Sequence, residues 1–144
     1  MEEPVQISED HELEDFVITD HGQLLQLREK YSIQCLQILG EYVEALGPVL
    51  HEKGVDVCLA LLQRSIKDQG GHGHITHQPD VLRLICALAA HRKFAALFVD
   101  RGGIQKILSV PRIAQTYTAL SACLFTFGSL QVNTNNLNCL SMQS

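Results

Sequence analysis

Cys35-Leu36-Gln37-Ile38-Leu39-Gly40 decides the fold, because the phrase returns as Leu84-Ile85-Cys86-Ala87-Leu88-Ala89 and again as Cys123-Leu124-Phe125-Thr126-Phe127-Gly128. Self-similarity at a fixed spacing outranks any single residue, since it sets the architecture before local readings begin. The first two copies stand 49 residues apart and the last two 39. An insertion of about ten residues in the Gly/His-rich stretch 68–79 reconciles the two intervals. Around the first two phrases the register holds from residue 36 to residue 59. Leu36 answers to Ile85, Leu39 to Leu88, Gly40 to Ala89, Ala45 to Phe94, Val49 to Phe98, Gly54 to Gly103 and Leu59 to Leu108. The expected fold is therefore all-α: an armadillo/HEAT-like helical solenoid of about two and a half units. No such unit buries its apolar stripe alone, and stacked neighbours complete the core.

Apolar residues at helical spacing predict the elements. A first helix spans 22–39 on Leu24, Leu27, Tyr31, Leu36 and Leu39, with Asp20 as its N-cap. A short helix over 41–46 is punctuated by Gly47-Pro48, and residues 49–53 add a turn or two that Gly54 ends as a C′ glycine. A third helix over 55–66 puts Gln63, Arg64 and Lys67 on its wet side. The second unit repeats the plan over 80–90, 93–100 and 104–110, and a last helix covers 115–130. The domain organisation expected is an acidic disordered leader (1–21), the repeats (22–131) and a disordered Asn-rich tail (132–144) without a capping repeat.

A net charge of −5 hides two opposed parts. Residues 1–20 carry eight acids and no Lys or Arg, whereas the remainder carries a net +3. A terminal block of acids repels itself into a solvated segment, although an acidic docking peptide has the same composition. The five Cys are odd in number and four lie in apolar helical runs, which favours reduced core thiols in an intracellular protein over a disulfide framework. The acidic N-terminus does not read as a secretory signal. No apolar run nears the ~20 residues that cross a bilayer, so no membrane role is expected.

Three constellations bear on chemistry. His72, His74 and His77, with His51 or His91 conceivable as further ligands, form the metal-like cluster. Imidazoles bind zinc or copper, but this loop has no Cys nearby and no H-E-x-x-H, so a plain surface loop is the leading reading and no cofactor is expected. The Cys residues sit on apolar faces, where burial raises a thiol pKa and blunts it as a nucleophile, and Gly102-Gly103 lacks the spacing of a phosphate loop. No enzyme is expected. Arg92, Lys93, Arg101, Lys106 and Arg112, at the junctions of the second unit, form a possible partner-binding rim. The plainer alternative is a solvated edge of cations that suit helix ends. Nucleic acid is an unfavoured partner, because no aromatics interleave the bases and the body charge is small. An uncapped repeat end leaves an apolar stripe open to self-association.

Longer phrases carry a resemblance. Gly47-Pro48-Val49-Leu50-His51-Glu52-Lys53-Gly54-Val55-Asp56-Val57, the run from Asp80 to Val99, Arg101-Gly102-Gly103-Ile104 and Ser121-Ala122-Cys123-Leu124-Phe125-Thr126-Phe127-Gly128 resemble the armadillo-like region of the Vpr-binding-protein family, plant members above all. The resemblance covers about residues 24–131. It implies a non-catalytic part of the substrate receptor of a nuclear cullin-RING ubiquitin ligase, bound through the damaged-DNA-binding adaptor. Family members are longer, with further repeats, a LisH motif and a C-terminal propeller that docks on the adaptor. This chain reads as a truncated form, which puts direct adaptor docking in question. The rival functions are a standalone or dominant-negative scaffold, in the nucleus or the cytoplasm, and a metal protein of the His72/His74/His77 loop.

Overall fold

The computed structural model describes residues 20–68 and 77–141, with side chains described as far as residue 130. Seven helices run in order among the described residues: α1 (His21–Gly40), α2 (Val43–His51), α3 (Gly54–Lys67), α4 (Gln78–Ala89), α5 (Arg92–Asp100), α6 (Gly103–Leu108) and α7 (Ala114–Ser141). The described residues contain no strand, so the all-α expectation holds. None of these helices is long and apolar enough to cross a membrane. Residues 1–19 of the 1–21 leader, most of the His-rich loop and residues 142–144 lie outside the described residues.

The 49-residue offset is written into the backbone. It carries α2 onto α5, and the start of α3 onto the start of α6. Tyr42 and His91, the extended residues that open α2 and α5, are register mates. So are Lys53 (φ 57°) and Gly102 (φ 77°), the two described residues with left-handed backbone. Their amides donate equivalently, Lys53 to Leu50 O and Gly102 to Val99 O. Gly54 was expected to supply the left-handed turn, but Lys53 takes it. Gly54 is needed for a different reason: a Cβ there would stand 2.6 Å from the carbonyl oxygen of Val49, and one on Gly103 equally close to that of Phe98. Each pair thus reverses the chain at its first residue and lets two helices touch at its second.

Two element boundaries differ from the sequence reading. Gly47-Pro48 does not divide α2, which is one helix with Pro48 inside it. Proline clashes with a Cβ on the residue before it when that residue is helical, and glycine has none. Leu46, Val49 and Leu50 pack against the core and hold the helix through the missing donor. The last helix also runs on past Leu130 to Ser141, so the Asn-rich residues up to 141 are helical in backbone rather than irregular. Asn is a mediocre helix former, but the stretch contains no Gly or Pro to stop a helix already under way.

Helix α4 is the centre of the molecule and packs on α1, α3 and α7. It buries Val81, Leu82, Leu84, Ile85, Leu88 and Ala89. Phe94, Phe98 and Phe127 form a stacked column with centroid separations of 6.0 and 5.3 Å. Aromatic pairs at such distances add about 0.5–1.5 kcal/mol beyond the area they bury. At one edge the pattern inverts. On α1 only Ile33 and Gly40 are buried, whereas Leu24, Tyr31, Leu36 and Leu39, read from sequence as a core stripe, are exposed, as are Leu25 and Ile38 beside them.

Candidate functional site

Helix α1 meets the body through polar groups. Gln34 Nε2 donates to Asp80 Oδ1 at 3.1 Å, and Lys30 and Arg83 approach the same buried carboxylate at 4.0 and 3.6 Å. Glu29 pairs with Arg64 of α3 and lies 3.4 Å from His77 Nε2. This places His77 at the head of α4, tucked between helices. Burial first, then the neighbouring Arg64 guanidinium, hold its imidazole below the usual histidine range, against the opposing pull of Asp80. His91 Nε2 lies 2.7 Å from Gly40 O and so is engaged across the two units, and His51 stands exposed at the end of α2. His72 and His74 lie outside the described residues. The three candidate imidazoles that are described, His51, His77 and His91, therefore sit apart, each in its own setting. Among the described residues no three His, Cys, Asp or Glu side chains gather as metal ligands.

The basic rim separates into two groups. Arg92 and Lys93 open α5, the end of a helix where a cation opposes the dipole, so the expectation that they suit their helix end does not hold for this pair. Arg101 lies at the other end of α5, about 13 Å away at 1.5 Å per residue. Its Nη1 donates to Asp56 Oδ1 at 2.6 Å and ties α5 to α3 of the preceding unit. Arg112 is exposed in the connection to α7. Lys106 of α6 faces α3 across an open groove of about 530 Å³ lined by Asp56, Leu59, Ala60, Gln63, Arg64 and Lys67. Positions 56, 60, 63 and 67 fall on one side of α3, so the groove is a helix face met edge-on by its register neighbour. Arg64 and Asp56 have partners within the fold, which leaves Lys67 and Lys106 to set the sign of the groove. The sequence reading placed Gln63, Arg64 and Lys67 on the wet side of α3 without nominating them, and no spacing in the sequence signalled their approach to Lys106.

The thiols divide in the same way. Burial pushes Cys58 up to about 12, and the hydrogen bond with Cys86, followed by burial, raises Cys123. Cys35 instead lies exposed on α1. Half-buried Cys86, 3.4 Å from Thr126 Oγ1, is held below the ordinary thiol range by hydrogen bonding from Cys123 and Thr126. Cys123 in turn lies 3.0 Å from Leu82 O.

This helical body, together with part of the leader before it, matches one known domain. The Mahjong helical domain family matches residues 12–135. The chain belongs to that family. DDB1- and CUL4-associated factor homolog 1 of Arabidopsis thaliana is 61% identical over 114 residues, which are 79% of this chain and 6% of the relative. The Caenorhabditis elegans protein of the same name is 26% identical over 116 residues, 78% of this chain and 6% of that protein. Protein mahjong of Drosophila melanogaster is 26% identical over 106 residues, 74% of this chain and 6% of its own length. The chain thus spans about 6% of the length of the relatives it matches. No solved structure matches it. The match with the Arabidopsis relative bears out the family resemblance read from the phrases above, and the Arabidopsis and Caenorhabditis relatives are named for association with DDB1 and CUL4.

Proposed function

We propose that this chain is a non-catalytic protein-interaction module, built of armadillo-type repeats, within the substrate receptor of a nuclear CUL4–DDB1 ubiquitin ligase. The observation that carries this reading is the 61% identity to a relative named for association with DDB1 and CUL4. The repeat architecture agrees with it, because a stack of helical units presents long surfaces rather than a closed reaction cavity. The α3–α6 groove is the contact surface this reading favours. Its floor is apolar at Leu59 and Ala60, and its open cations are Lys67 and Lys106. Such a groove suits an extended segment that carries acidic side chains.

A tagged chain incubated with nuclear extract tests the proposal. DDB1 or CUL4 is expected in the captured fraction. Recovery of neither subunit would sink the receptor reading and leave the scaffold alternative. A Lys67→Glu/Lys106→Glu variant is expected to keep its helical content and to lose partners that need the groove.

A further inference from the structure

The first unit shows how the second is received. Asp80 meets Lys30 and Gln34, the imidazole of His91 reaches the carbonyl of Gly40, and Leu88 packs on the bare face of Gly40, where a Cβ would stand 2.9 Å from its Cδ2. Moved back by 49 residues, these three receiving positions become Tyr31, Tyr42 and Leu39. Asp80 and Leu88 are each 3% exposed and His91 is half-buried, whereas Tyr31, Leu39 and Tyr42 are 59, 55 and 61% exposed. Between them stands Cys35, exposed, at the register place of Leu84, which is buried. The outward face of α1 therefore carries the apolar half of an interface whose other half is displayed once inside the same molecule.

We propose that this face of α1 docks a further helical unit of the same kind, supplied by polypeptide outside this chain. That unit would offer a small residue at the end of its first helix for Leu39 and a free helix-terminal carbonyl for the Tyr42 hydroxyl, as Gly40 offers both to Leu88 and His91. Two further observations favour this occupant. Helix α1 leaves Leu24, Tyr31, Leu36, Ile38 and Leu39 exposed, whereas an array end that faces water is polar on its outer face. The relatives also extend far beyond the matched 6% of their length, so the polypeptide to form such a unit exists. The inference stands apart from the ligase reading, since it concerns how the repeat continues and not what it binds.

Cys35 is a built-in reporter. Maleimide labelling, read by peptide mapping, is expected to modify Cys35 readily in this chain. The intact Arabidopsis relative carrying cysteine at the aligned position is expected to label at least about tenfold more slowly, because the site must open before it reacts. Aspartate at the position aligned with Leu39 is expected to restore fast labelling there, while Leu39→Asp in this chain leaves the circular dichroism unchanged. Equal rates in the two proteins overturn the proposal, as does slow labelling that the aspartate does not relieve. Labelling of this chain that slows as its concentration rises assigns the face to a second copy. Labelling that speeds up when residues 1–19 are removed assigns it to that segment. Either result also overturns the proposal.

Discussion

Alanine at Gly103 tests the joint on which the repeat turns. Its Cβ would lie 2.6 Å from the Phe98 carbonyl oxygen, where real Cβ atoms essentially never come within 3.0 Å. The backbone must therefore yield by at least about 0.4 Å, and no rotamer change relieves a clash with a carbonyl. The added methyl also presses on the Phe98 ring, which cannot swing away because it is stacked between Phe94 and Phe127. Overpacking of this kind costs about 1–3 kcal/mol, and the locked ring places Gly103→Ala near the top of that range. Gly54→Ala meets the same carbonyl geometry at Val49, but Val49 is only half-buried and its side chain can turn, so about 1–2 kcal/mol is expected. Gly128→Ala is the control. It is an exposed helical glycine with nothing within 4 Å, and alanine there stabilises by about 0.5–1 kcal/mol. Urea unfolding followed by far-ultraviolet circular dichroism ranks the three. Thermal midpoints are expected to fall by about 10 °C for Gly103→Ala and to rise slightly for Gly128→Ala. A Gly103→Ala protein as stable as the Gly128→Ala control would refute the close-approach argument.

Further outcomes follow from other features of the fold. Lys53→Gly is expected to raise unfolding stability by up to about 1 kcal/mol and Gly102→Ala to lower it by about 1–2 kcal/mol, since both positions hold left-handed backbone. His77 has its pKa lowered on folding, so its stabilising contribution is present above the unfolded value of 6.5 and is lost as pH falls below it. Denaturation between pH 7 and pH 5 is accordingly expected to show a shallower acid-side loss in His77→Gln than in the parent. Alkylation of Cys86 followed against pH is expected to show a midpoint below that of a free thiol, and Cys123→Ala is expected to move that midpoint upward.

Much of the fold was legible because the register is carried by residues with few alternatives. Gly54 and Gly103, with the apolar neighbours Val49 and Phe98, mark the same joint twice, and a pattern repeated at one offset fixes both helices at once. The length of α2 was not legible, because Pro48 is a local stop signal while Leu46, Val49 and Leu50 act through tertiary contacts. The reach of α7 was hidden for the opposite reason, since a run of Asn looks like loop when nothing in it forbids a helix. The orientation of α1 was misread because periodicity finds an apolar stripe without saying what lies against it. Ile33 and Gly40 are its only buried residues, and Lys30, Gln34 and Glu29 add polar contacts that no apolar periodicity announces. The candidate groove needed two helices from different units side by side, and no spacing along the chain puts Lys67 beside Lys106. Thr116, fully buried and donating to Pro111 O at 2.7 Å, gave no signal in the sequence at all.

The polar seam under α1 also has a mechanical meaning. The column of Phe94, Phe98 and Phe127 resists sliding through interlocked apolar shape, whereas α1 is pinned at discrete points: Glu29 to Arg64, Lys30 and Gln34 to Asp80, and the Gly40 carbonyl to His91. Contacts of the second kind have short range, so a small displacement breaks several together. Pulled from its two ends, the molecule is expected to yield first at this seam, with α1 leaving as one piece.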